Sequence, residues 1–159
     1  METVEEFLAH AIELEREAAL RFGQLADAMA SAGNQEVGRL FRRLAEYSQL
    51  HLADARERAG FRTLPVMNAT DYRWPDIESP EAAAIWAADP FLGRAQALQV
   101  ALEAEQAGLD YYSGVLQSTT DPEIRAFAKE FAQEEAQHVA ELQRWMALHR
   151  SGQPLPSDG

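Results

Sequence analysis

The sequence predicts an all-α protein: a four-helix bundle with one long crossover between helices 2 and 3, and a short extra helix inside that crossover. Three observations point there. Four long stretches carry apolar residues in steps of three and four, the spacing that lines one face of a helix. Short turns separate the first two stretches and the last two, whereas a long irregular segment, residues 61–79, lies in the middle. Hydrophobic residues make up 47% of 159 residues, enough to bury a core without staples. The bundle is assigned to residues 1–152 and a flexible tail to residues 153–159, where two prolines fall.

Thr3 followed by Glu6 fits a capping box opening the first helix. Its stripe is Leu8, Ala11, Ile12, Glu15, Ala18, Phe22, Leu25, Ala26 and Met29, with Glu15 the one acid. Gly33-Asn34 supplies a turn. The second helix is predicted from about Gln35 to Ala59, with Val37, Phe41, Leu44, Ser48, His51 and Ala55 on one face and Gly60 ending it. In the crossover, Pro65, Asn68, Asp71, Pro75 and Pro80 break any period, while interspersed aromatics suggest an ordered segment lying against the bundle. Ser79-Pro80-Glu81 reads as the start of the short extra helix, running to about Ala87. Asp89-Pro90 restarts the chain as a third long helix, with a seam of Phe91, Ala95, Leu98, Leu102, Glu105, Leu109, Tyr112 and Leu116. Thr119-Thr120-Asp121-Pro122 forms a loop and the next N-cap, and the fourth helix presents Ala128, Phe131, Glu135, His138, Leu142 and Trp145.

Composition narrows the function. With no cysteine, a disulfide, thiolate nucleophile, zinc ribbon or cysteine-ligated iron site cannot form within this chain. A net charge of −12 and a pI near 4.7 disfavour nucleic acid and anionic membrane surfaces. No apolar run approaches the roughly 20 residues of a spanning helix. The acidic start, Met1-Glu2-Thr3-Val4-Glu5-Glu6, lacks the character of a secretory signal, so a cytoplasmic location is expected.

The informative residues are polar ones on apolar seams. Glu135 and His138 lie about 60° apart on one helix face, from about 3.6 residues per turn, where core side chains are expected. A buried carboxylate and imidazole left unpaired would cost several kcal/mol. The two halves of the chain repeat the pattern. Ala11, Glu15, Ala18 and Phe22 are spaced like Ala101, Glu105, Gly108 and Tyr112; Ser48 and His51 match Glu135 and His138. A duplicated helical hairpin puts these polar residues at similar depth. Three carboxylates in a dry bundle repel unless protonated or neutralised. Glu15, His51, Glu105, Glu135 and His138 are therefore candidate metal ligands, the alternative being a self-satisfied polar network.

The ordered set Ala11-Ile-Glu-Leu-Glu15-Arg-Glu-Ala18, Leu44-Ala-Glu-Tyr-Ser-Gln-Leu-His51, Ala101-Leu-Glu-Ala-Glu105 and Ala132-Gln-Glu-Glu135-Ala-Gln-His138 resembles the rubrerythrin-like domain of the ferritin-like di-iron carboxylate superfamily over roughly residues 4–148. The resemblance implies that Glu15 and Glu105 are terminal ligands, that Glu135 bridges two metals, and that His51 and His138 cap one each. It implies iron, one or two ions, with Mn or Zn as substitutes. It also implies oxidation of Fe(II), or reduction of O₂ or peroxide, at the metal. The sequence departs from the family pattern in three ways. Ser48 stands where the second helix's bridging Glu is expected, and Gly108 stands where an additional acid often follows the terminal Glu of helix 3. A rubredoxin-like module needs cysteine, so electrons would come from a separate donor. Glu46 is off the seam; Asp54, one turn past His51, is a better but poor substitute for the missing acid.

Among the remaining residues, Tyr112 is on the right face either to pack or to hydrogen-bond a ligand. Glu13, Glu17, Glu103 and Glu134 fall off the seam and read as surface acids, His10 is off the seam too, and His149 is too far along helix 4 to share the site. Trp74, Trp86 and Trp145 read as packing residues. Three readings follow: a rubrerythrin-like oxidoreductase of peroxidase or ferroxidase type; a metal-binding or iron-handling protein with a degenerate site and no turnover; or a structural, partner-binding bundle. A homodimer is allowed but not required.

Overall fold

The structure is a computed structural model describing residues 3–67 and 93–155. It contains four long helices: α1 (Val4–Ser31), α2 (Gln35–Ala59), α3 (Arg94–Ser118) and α4 (Pro122–Arg150). The predicted short helix near Ser79–Ala87 and the Asp89-Pro90 helix start lie outside the described residues.

Local chemistry sets the helix ends. Thr3, in extended backbone, accepts a hydrogen bond from the Glu6 N–H at 3.1 Å. Gly33, at φ 85°, turns the chain back after α1, and the Asn34 N–H closes onto the Met29 carbonyl at 2.8 Å. Gly60 ends α2 at φ 60°. The first turn of α3 is held by the Gln96 side chain, which accepts from the Gly93 N–H at 3.2 Å. Asp121 caps α4 by accepting from Glu123 and Ile124, with Pro122 at the first helical position.

Burial follows the seams predicted for α1, α2 and α4. On α3 the buried face is rotated. Ala97, Ala101, Ala104 and Gly108 are buried beside Leu98, Glu105 and Tyr112, whereas Leu102, Leu109 and Leu116 are half-buried and Ala95 is exposed. Small side chains on the inner face let α3 approach its neighbours closely, and the leucines flank that contact. Gly38 does the same between α1 and α2: a methyl there would sit 3.3 Å from the Ala30 amide nitrogen.

The apolar core falls into two clusters. One joins Met29 near the end of α1, Val37 near the start of α2, Leu98 near the start of α3 and Trp145 near the end of α4. The other joins Phe7 on α1, Ala59 on α2, Tyr112 on α3 and Ile124 on α4. The start of α2 therefore lies at the same end of the bundle as the start of α3, so these two helices run parallel. A parallel pair needs a connection that spans the bundle's length, whereas α1–α2 and α3–α4 turn back through short loops. The fold is accordingly a ferritin-like four-helix bundle with one long crossover. Leu155, assigned from sequence to a loose tail, is 3% exposed and packs into the Trp145 cluster. Burial of its side chain holds residues 153–155 against the bundle.

Candidate metal centre

Between the two apolar clusters lies a polar layer. Glu15 on α1, Ser48 on α2, Glu105 on α3 and Glu135 on α4 are all 5% exposed or less. His51 and His138 lie beside them, each half-buried. Phe22 and Leu44 on one side, and Leu14 and Phe131 on the other, keep the layer between oily walls.

The distances within the layer are those of groups facing a common point. His138 Nδ1 is 3.5 Å from Glu105 Oε2 and 3.5 Å from Glu135 Oε2. His51 Nδ1 is 3.8 Å from Glu15 Oε2. The two imidazoles stack almost parallel, with ring centroids 3.6 Å apart. Two atoms bound to one ion at about 2.0–2.2 Å stand roughly 3.0–3.6 Å from each other. The two His138 contacts fall in that range, and Glu105, Glu135 and His138 together bring one ligand atom each within 4.8 Å of the others. His51 Nδ1, His138 Nδ1 and Glu105 Oε2 are buried and make no hydrogen bond. Such atoms cost stability in a self-contained protein and are accounted for by a cation between them. The residues present therefore fit a metal site.

Electrostatics separate the carboxyls. Burial pushes Glu15 up to about 8, and the charges of Glu105 and Glu134 add to this; Glu135 and the Tyr112 hydroxyl offset only part of it. Burial raises Glu105 as well, but Glu135 and the His138 ring outweigh it and hold that carboxyl at about 2. Glu135 thus interacts with both of the other acids and stands between them. Burial, helped by the neighbouring His138, lowers His51 to about 4, which keeps its ring neutral and its lone pair available at physiological pH.

The surroundings hold features that the sequence reading treated differently. The Tyr112 ring stacks on Phe131 with centroids 5.3 Å apart, and its buried hydroxyl favours the ionised form of Glu15. Glu134 is not a freely solvated acid. It pairs with Arg58, which also binds Asp54 at 3.1 Å and Glu130, and it interacts with Asp54 directly. Asp54 is thereby engaged by Arg58, and its charge also acts on the His51 ring. His10, set aside as off-seam, is fully buried, with its Nδ1 2.8 Å from the Glu6 carbonyl. A seam drawn only through α1's leucines and phenylalanines gives no signal for it. A cavity of about 290 Å³ opens beside the layer and reaches His51, Glu105 and His138.

A four-helix bundle with two imidazoles and three acids in its mid-layer is of the ferritin-like class. The comparisons identify the family. The Rubrerythrin family profile matches residues 6–146, and the chain belongs to that family. Among solved structures, it is similar to an uncharacterized conserved protein from Magnetospirillum magnetotacticum MS-1, with 35% identity, 97% of each chain covered and a TM-score of 0.66. No curated protein matches it. Among the described residues, no helix is long and apolar enough to cross a membrane.

Proposed function

We propose that the protein is a non-haem iron protein whose core holds one or two ions through Glu15, His51, Glu105, Glu135 and His138. One observation carries this reading. Buried atoms of His138 and Glu105 make no hydrogen bond, yet they converge with Glu135 into one candidate ligand group, and the equally unbonded His51 Nδ1 lies 3.8 Å from Glu15. Family membership supports iron as the metal.

When bound, iron supplies one-electron chemistry: oxidation of Fe(II), with reduction of O₂ or peroxide. The chain's residues prepare the site for it. The neutral His51 ring offers a lone pair without first losing a proton. Glu105 is ionised ahead of metal binding, whereas Glu15 gives up its proton as the ion arrives. Tyr112 orients the Glu15 carboxyl, and the apolar clusters above and below exclude water from all but the cavity side. With no cysteine among these 159 residues, a cysteine-ligated iron site cannot form in them, and redox turnover would draw its electrons from a separate donor. Ser48, a hydroxyl where a bridging carboxylate is expected, favours a second reading: metal binding without turnover.

Anaerobic reconstitution with Fe(II) tests both. Two irons per chain with rapid peroxide consumption support the oxidoreductase reading. One tightly held metal without turnover supports the second. Binding no greater than in a Glu135→Ala, His138→Ala double variant refutes the metal centre and leaves a structural or partner-binding bundle.

A further inference from the structure

The cavity beside the polar layer has a mixed lining. His51, Glu105 and His138 form the wall that faces the layer. Leu44, Tyr47, Leu142 and Trp145 form an apolar and aromatic wall, and Gln137 and Glu141 complete the lining, with the Glu141 carboxylate held by Arg144. The Trp145 indole N–H donates to Glu141 at 2.8 Å, so its polar atom is engaged and its buried ring backs the apolar wall. The Tyr47 ring tilts against it, with centroids 6.2 Å apart. At about 290 Å³ the space sits at the lower edge of the range for ligand pockets, roughly 300–1,000 Å³. It suits a small molecule and excludes a long chain.

Charge sets which small molecule. Were two divalent ions to load the layer, they would bring four positive charges, and Glu15, Glu105 and Glu135 would return three. The hydroxyl that stands in place of a fourth acid is Ser48 on α2, 2% exposed and one turn from both Leu44 and His51 of the cavity lining. An inorganic anion would answer the charge and leave the aromatic wall unused; a neutral apolar molecule would do the reverse.

Resting on the metal-centre reading, we propose that this cavity binds a small monocarboxylate with a compact apolar body. Its carboxylate completes the charge of the ion-loaded layer on the Ser48 side, and its body packs against Leu44, Tyr47, Leu142 and Trp145.

Calorimetric titration of the Fe(II)-loaded protein under anaerobic conditions tests this, with metal per chain measured on the same sample and benzoate, acetate and inorganic phosphate as probes. Benzoate is expected to bind once per chain and at least about tenfold more tightly than acetate or phosphate, a factor worth about 1.4 kcal/mol. Chelation of the metal should weaken benzoate by about tenfold or more. Ser48→Glu, which supplies the acid internally, should do the same while metal per chain is kept or raised. Tyr47→Ala should weaken benzoate by about tenfold, and Tyr47→Phe by less than about twofold. A chain holding two ions that does not prefer benzoate to acetate overturns this proposal and leaves the metal centre standing. A Ser48→Glu variant that binds benzoate like the wild type also overturns it. A chain that holds no metal overturns both.

Discussion

Glu15 should make the metal-free protein less stable as pH rises through neutrality. Its carboxyl has an ordinary value of 4.5 and stands at about 8 in the fold, because burial and the nearby charges of Glu105 and Glu134 oppose its ionisation. Between those values the folded state binds a proton that the unfolded state has lost, so stability falls with rising pH. His51 acts in the opposite sense over a lower window. It is held at about 4 against an ordinary 6.5, so its contribution grows as pH rises through that interval and is complete above it. From pH 6.5 to 8 the His51 contribution is therefore complete, and the difference between wild type and Glu15→Gln reports Glu15. Those 1.5 pH steps, at about 1.36 kcal/mol each, amount to about 2 kcal/mol. Urea unfolding of chelator-treated protein at pH 6.5 and 8 measures it. Wild type should lose about 2 kcal/mol across the interval, and Glu15→Gln, which keeps the shape without the ionisation, should lose almost none. Parallel behaviour of the two proteins would refute the reasoning. Saturating metal should reverse the wild-type trend, because the ion selects the deprotonated carboxylate.

Further outcomes follow from the same site and its supports. Metal loading at pH 7 should release about one proton per chain, chiefly from Glu15, and a weakly buffered titration would detect it; release should vanish by pH 10. Tyr112→Phe should weaken metal binding by about 10–100-fold, the usual effect of losing a group that orients a ligand, while leaving the unfolding midpoint nearly unchanged. Trp145→Ala removes a fully buried ring from the cluster above the layer. It should cost about 3–5 kcal/mol in urea unfolding. Asp121→Ala removes the acceptor for two amides at the start of α4 and should cost about 0.5–2 kcal/mol.

The helix framework was legible where chain chemistry is local. Thr3, Gly60 and Asp121 act as the residue types predict, because caps and left-handed turns depend on a few neighbouring atoms. The seams of α1, α2 and α4 were legible for the same reason: their large side chains point inward. The face of α3 was not, because alanines and a glycine form its buried side. Small residues carry little hydrophobic signal, and their value lies in allowing close approach, which is a property of the partner as much as of the helix. At the site, the duplicated spacing pointed to all five polar side chains that the fold gathers between the clusters. The surrounding shell was hidden. Arg58 binds Asp54, Glu130 and Glu134 across two helices, and nothing in the linear spacing of α2 and α4 announces that pairing. His10 is buried through its position on the inner flank of α1, a consequence of helix rotation that one seam cannot report.

The bundle is also two hairpins laid side by side. α1 packs extensively on α2 and α3 on α4, while contact across the two pairs is sparse among the described residues. Glu15 and His51 belong to the first pair; Glu105, Glu135 and His138 belong to the second. An ion shared by these side chains would act as a rivet through the joint, and its arrival or departure would set how freely one half of the molecule can shift against the other.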